Sequence, residues 1–198
     1  MKTQMFYLIG VGFWVILGVT TWNVTARAGY ESAPYEVIEK DGNIEIREYP
    51  ELVLASTQTN VEARGNDGSF MKLFRYISGD NETNQKIEMT TPVFMEEGSK
   101  TSEGSMGFVM PQDVKEAGAP QPRSSDILIS TRKGGRFAVI RFSGIMNERK
   151  AAVQEKLLRD WMVSREISGE ASAERAGYDA PFVPGPLRRN EILIRLKP

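Results

Sequence analysis

Two short stretches of this chain combine residue types that can do chemistry. Near the C-terminus, Arg188, Arg189 and Glu191 follow Tyr178 and Phe182 across a segment rich in Pro and Gly. A carboxylate held in a cavity can bind a cation or, with its pKa raised by burial, act as a general acid or base. A guanidinium offers a planar fork to a ligand carboxylate. Consecutive strand residues point to opposite faces, so at most one of Arg188 and Arg189 faces a given pocket. An ion pair of Glu191 with Arg188 or Arg189 is the simpler use of these groups. The second stretch holds Phe70, Met71, Phe74 and Arg75. There Phe70, Leu73, Phe74 and Ile77 fall at i, i+3, i+4 and i+7, which predicts a helix with one apolar stripe, capped by Asp67 or Ser69. Such a stripe usually belongs to a core.

What is missing narrows the chemistry further. The 198 residues contain no Cys and no His. Disulfides, thiolate metal sites, Ser-His or Cys-His catalysis and His-ligated iron are therefore excluded by composition. A net charge of -1, with no run of Lys and Arg interleaved with aromatics, gives no nucleic-acid surface. With 40% hydrophobic and 26% charged residues, the chain has the balance of one ordinary globular domain, expected as a monomer.

The elements that must position these residues begin after an apolar leader. Lys2 precedes an uninterrupted apolar run from Met5 to Val19, the length of a signal-peptide core, and Ala26-Arg27-Ala28 offers a small-x-small cleavage site. Residues 1–28 are expected to be a signal peptide or, if uncleaved, a membrane anchor. The rest, residues 29–198, then works as an exported periplasmic or secreted domain, or one held at the membrane by that segment alone.

Tyr35 to Lys40 and Asn43 to Tyr49 alternate apolar with charged residues around Asp41-Gly42, which predicts a hairpin with one wet face. Strands are also expected at Leu52 to Gln58, Lys86 to Met95 with Pro92 at an edge or bulge, Ser105 to Met110, Asp126 to Thr131, Arg136 to Phe142 and Glu191 to Leu196. The Pro/Gly/Ser/Ala stretch between the strands Ser105 to Met110 and Asp126 to Thr131, PQDVKEAGAPQPRSS, reads as a mobile loop. Asn147 caps a long helix to about Ile167, with Val153, Leu157, Leu158, Trp161 and Met162 as its apolar stripe. Helices that do not alternate one-for-one with strands indicate an α+β domain. Asn81-Glu82-Thr83 is a glycosylation sequon in a predicted loop.

Four segments in this order resemble the SOUL haem-binding family: YEVIEKDGNIEIREY, FRYISGDNETNQKIEMTTPV, RFSG and YDAPFVPGPLRRNEI. The resemblance implies a distorted antiparallel β-barrel with two helices packed outside, similar to effector-binding (GyrI-like) domains. It implies haem or another tetrapyrrole as a non-covalent ligand. On the segment similar to the family's ligand-facing helix, Phe70, Met71 and Phe74 would meet the macrocycle and Arg75 a propionate; Arg188 or Arg189 can take the same propionate role at a rim formed with Tyr178 and Phe182. Glu191 stands where related effector-binding domains carry an acidic residue in the cavity. The resemblance brings Met71, Met89 and Tyr76 nearest to any iron, but a hydrophobic pocket without a strong axial bond is the expectation. The competing function is a small-molecule hydrolase or effector-binding domain using Glu191 with Tyr178.

Overall fold

The hairpin signal at Asp41-Gly42 is realised at the residue that permits it. Gly42 takes φ +59°, a left-handed value that costs glycine little, and turns β2 (Glu36–Asp41) back onto β3 (Ile44–Tyr49). In this computed structural model, residues 29–59, 68–96, 104–180 and 182–197 are described, and the unit that begins at Glu31 contains all the elements below. They are β1 (Glu31–Ser32), β2, β3, β4 (Leu52–Thr59), α1 (Ser69–Ile77), β5 (Thr90–Thr91), β6 (Val93–Glu96), β7 (Gly104–Val109), α2 (Gln112–Ala117), β8 (Ile127–Arg132), β9 (Gly135–Ser143), α3 (Glu148–Ser164), β10 (Glu174–Gly177), a 3-10 turn at Gly185–Leu187 and β11 (Arg189–Arg195).

Nine strands join in the order β2-β3-β9-β11-β10-β6-β7-β4-β8, and every pairing is antiparallel. The domain is thus α+β as expected. Among the described residues no pairing between β2 and β8 closes the expected barrel. A separate parallel pair, β1 with β5, ties the start of the domain to Thr90 and Thr91.

Strand alternation divides the residues between two faces. On one, α3 covers Ile44, Ile46, Ala138, Ile140, Ile192 and Ile194, while α1 covers Ala55, Phe108 and Ile127 farther along the sheet. The opposite face carries a third cluster that includes Tyr49, Leu54, Phe94, Phe137, Val139, Tyr178 and Leu193. No helix is needed to bury it, because charged side chains of the same face fold over its rings.

Several expectations are corrected. The PQDVKEAGAPQPRSS stretch is not a structureless loop: it forms α2, with Val114 buried, and Pro120 accepts a hydrogen bond from the Tyr76 hydroxyl at 2.8 Å. In α1 the buried positions are Ser69, Leu73, Tyr76 and Ile77, so the stripe is rotated away from Phe70 and Phe74. Its N-cap is Gly68, and the Ser69 hydroxyl instead donates to the Gln58 carbonyl. Asp67, the other expected cap, lies outside the described residues, as do residues 1–28. In α3 the Asn147 cap is as expected, its side chain accepting from the Lys150 amide, but Ala151, Leu158 and Met162 are buried while Val153 and Leu157 face water. The Lys86 to Met95 strand divides at Pro92 into β5 and β6, since proline has no amide for a ladder. Strand β10, a short polar ERAG, carried no alternation that could announce it.

Candidate functional site

The residues singled out above fall on opposite faces of the sheet. Glu191 and Tyr178 belong to the face without helices. Glu191 is fully buried and its carboxylate is saturated. Oε1 accepts from Arg47 Nη2 at 3.0 Å and from Arg189 Nε and Nη2 at 2.9 and 2.7 Å; Oε2 accepts from Arg47 Nη1 and the Tyr178 hydroxyl, both at 2.8 Å. Burial pushes the Glu191 carboxyl up, but the hydrogen bonds and charges of Arg47 and Arg189 outweigh it and hold the pKa below the usual value. Burial and then the Glu191 charge push the Tyr178 phenol well up. Neither group is poised to exchange a proton near neutral pH, which is what a general acid or base requires.

Arg47 is the centre of this cluster and is absent from the sequence-based candidates. Its guanidinium is fully buried, donates to Glu45, Tyr49 and Glu191, and lies 4.2 Å from the Tyr35 ring centroid. The expected wet face of the first hairpin is therefore wrong for β3, whose charged alternate residues Glu45 and Arg47 are buried against each other. The available signal was the pattern itself: opposite charges two residues apart on one face occur both in β3 and in β11, at Arg189 and Glu191. Arg189, not Arg188, shares that face. Arg188 sits just before the strand and donates to the Val183 carbonyl. Phe182 is exposed at the tip of the preceding segment.

The other group lies on α1. Phe70, Met71 and Phe74 are 36%, 49% and 44% exposed, unusual for adjacent large apolar side chains, and Arg75 is exposed beside them. The Phe70 and Phe74 rings are close to parallel, with centroids 6.2 Å apart and an angle of 12° between planes. Phe70 is braced edge-on by buried Phe108, at 5.2 Å. This gives a fixed apolar platform with a guanidinium next to it in sequence. Met89 is half-buried at the margin of the core beneath α1. Tyr76 is fully buried and its hydroxyl is committed to Pro120, so it is not free to meet a ligand.

Two concavities lie elsewhere. One of about 230 Å³ is lined by residues that include Ala33, Pro34, Leu52, Thr90 and Met110; a more open one of about 390 Å³ runs between Gly144, Ile145, Lys150 and Gly185. Neither contains a residue of the two groups. The described residues also contain no cluster of acidic side chains able to hold a metal ion and no helix long and apolar enough to cross a membrane.

The profile of the SOUL heme-binding proteins matches residues 30–195. The chain belongs to the SOUL family. Heme-binding protein 2 of Mus musculus is 32% identical over 162 residues, spanning 76% of this chain and 77% of that protein. The Homo sapiens protein of the same name is 33% identical over 161 residues, spanning 75% and 76%. Among solved structures, the EcmrR C-terminal domain superposes with a TM-score of 0.58 at 12% identity, covering 82% of this chain and 98% of that one. A hydrolase from Listeria innocua gives 0.55 at 9% identity, covering 81% and 94%. At such identities the likeness shows the fold alone, a shared α+β architecture. Family membership supports haem binding as the general activity of this SOUL protein.

Proposed function

We propose that this SOUL protein is a non-catalytic, extracytoplasmic binder of haem or a related tetrapyrrole, and that the macrocycle lies on the exposed face of α1. The observation that carries this placement is the pair of near-parallel rings, Phe70 and Phe74, left in water beside Met71. A flat porphyrin would bury these side chains, and Arg75 would receive a propionate. With no His or Cys in the chain, most of the affinity comes from burying the macrocycle rather than from a bond to iron. The committed state of Glu191 supports binding rather than turnover, against the hydrolase alternative. The apolar run and Ala26-Arg27-Ala28 support export, testable by the N-terminus of the native protein: one at Gly29 supports cleavage, intact residues in a membrane fraction support an anchor, and a soluble full-length cytosolic form contradicts both.

The test of the site is titration with haemin and with metal-free protoporphyrin, read by absorbance and fluorescence quenching. Both should bind with affinities within about tenfold of each other, and haemin should give a Soret band. A single propionate pairing at an exposed rim is worth on the order of 1 kcal/mol, so Arg75→Ala weakens binding roughly tenfold or less. Phe74→Asp, which places a charge on the platform, weakens it by roughly a hundredfold or more. Position 74 is exposed, so both variants should melt like the parent. An unchanged affinity for Phe74→Asp would move the site off α1. No Soret band with the parent protein would remove the ligand.

A further inference from the structure

The two edges of the sheet are built differently. Strand β2 carries Glu36, Glu39, Lys40 and Asp41 in six residues, and its pairing shifts register between Val37 and Glu39. Charges and irregularity are the usual means of blocking further strand addition. Strand β8, reading ILISTR, has no charge before its last residue, pairs with β4 in unbroken register and leaves Leu128 63% exposed. Among the described residues no strand pairs with its outer side. The carbonyls of Leu128 and Asp126 accept from Ser56 and Thr57 of β4, so alternation turns the amides and carbonyls of Ile129 and Thr131 away from the sheet. Among the described residues nothing pairs with those four groups.

We propose that β8 is a self-pairing edge, and that two copies of this chain join antiparallel through it into one continuous sheet. The strand suits its own copy better than an unrelated one. With a two-fold axis at Ser130, Ile129 of each copy faces Thr131 of the other, and all four outward groups of both strands are satisfied reciprocally. Antiparallel pairing also sets the exposed Asp126 before the strand near the exposed Lys133 that follows it in the second copy, while Arg132 stays buried against Glu174. The proposal replaces the monomer expected from the sequence. It does not depend on haem, so the test uses the purified full chain with none added.

The chain contains no Cys, which makes one introduced thiol a clean reporter. Across the axis the two Ser130 residues form a non-hydrogen-bonded pair, whose short Cα separation is within the range a disulfide can span. Ser130→Cys is expected to oxidise to a covalent dimer, while Glu39→Cys on the guarded edge is not. By analytical ultracentrifugation the parent chain sediments as a dimer at micromolar concentration. Thr131→Pro removes an outward amide and raises the dissociation constant roughly a hundredfold or more without altering the circular dichroism. If Thr131→Pro fails to fold, Ser130→Lys, which places like charges on the axis, takes its place with the same expected result. A parent chain that is monomeric at high micromolar concentration, a folded edge variant that still dimerises, or cross-linking of Glu39→Cys as fast as Ser130→Cys overturns the proposal.

Discussion

Replacing Arg47 with Met tests whether the buried cluster on the open face holds the domain together. The guanidinium makes two hydrogen bonds to Glu191, at 2.8 and 3.0 Å, one to Glu45 at 2.8 Å and one to the Tyr49 hydroxyl at 3.0 Å. Met fills similar space but leaves a fully buried carboxylate with Arg189 and Tyr178 as its close partners and a charge only partly neutralised. Removing one member of a buried pair costs about 3–5 kcal/mol, a large share of a stability of about 5–15 kcal/mol. For a domain of this size that corresponds to a fall in Tm of roughly 6–20 °C. The pH dependence identifies the cause. The folded pKa of Glu191 is lowered, so its contribution is present above the unfolded value and is lost as pH falls through the folded one. In the variant that pKa rises, because its main cation is gone. The deficit of Arg47→Met is therefore largest near neutral pH and shrinks under mildly acid conditions, where Glu191 takes up a proton. Denaturant unfolding at pH 7 and near pH 4 measures both values. Arg47→Met with Glu191→Gln should be more stable at pH 7 than Arg47→Met alone, since the fully buried carboxylate is then gone, the amide oxygen can still accept from Arg189 and Tyr178, and the remaining Arg189 cation is partly exposed. A deficit below about 1 kcal/mol at pH 7, or a double variant no better than the single, would refute the reasoning.

Other positions give sharper local tests. The Asn81 side chain is fully buried, donating to the Tyr76 and Gln85 carbonyls and accepting from the Gln85 amide and Thr83 hydroxyl; Asn81→Ala strands these groups and should cost about 2–3 kcal/mol in denaturant unfolding. The same burial predicts that folded protein from a glycosylating host carries no glycan at this sequon, and intact mass spectrometry of the cooperatively folding fraction checks it. A Cβ at Gly134 would come within 2.7 Å of the Tyr49 carbonyl oxygen and 2.8 Å of a Pro50 backbone carbon, so Gly134→Ala should lower stability by about 1–3 kcal/mol. Gly177→Ala, whose new methyl would meet only Met95 at 3.7 Å, should stay within about 1 kcal/mol of the parent, and equal melting of the two variants would contradict the packing.

The elements were legible where one local rule governed them. Asp41-Gly42 specified its hairpin, Asn147 its cap, and the apolar runs of Arg136 to Phe142 and Glu191 to Leu196 the strands β9 and β11. Which face of a helix is buried was not legible at the same level. Phe70 and Phe74 lie on the margin of the α1 stripe, and tertiary packing chose Tyr76 and Ser69 instead because their hydroxyls find the carbonyls of Pro120 and Gln58. Glu191 was picked out by position, and an arginine two residues away was the right kind of partner. Arg47, distant by 144 residues, becomes its neighbour only when β3 and β11 both pair with β9. Long-range pairing of this kind has no local signature.

The same pairing decides which aromatic rings are left uncovered. On the face without helices, the ring of Tyr35 is covered by Arg47, Phe94 by Arg132, Phe137 by Arg132 and Arg195, and Tyr178 by Arg189, with centroid distances from 3.9 to 4.4 Å. Each aromatic surface that a flat macrocycle would stack on already holds a guanidinium of the chain, and Arg47, Arg132 and Arg189 are each held by a carboxylate on the same face. A ligand entering there would have to displace these cations and strand buried charge. Among the described residues the exposed aromatic rings are Tyr30, Phe70, Phe74 and Phe182, and Phe70 and Phe74 alone stack with each other. The internal charge network thus stabilises one face by filling it, while the paired rings of α1 stay open to stacking.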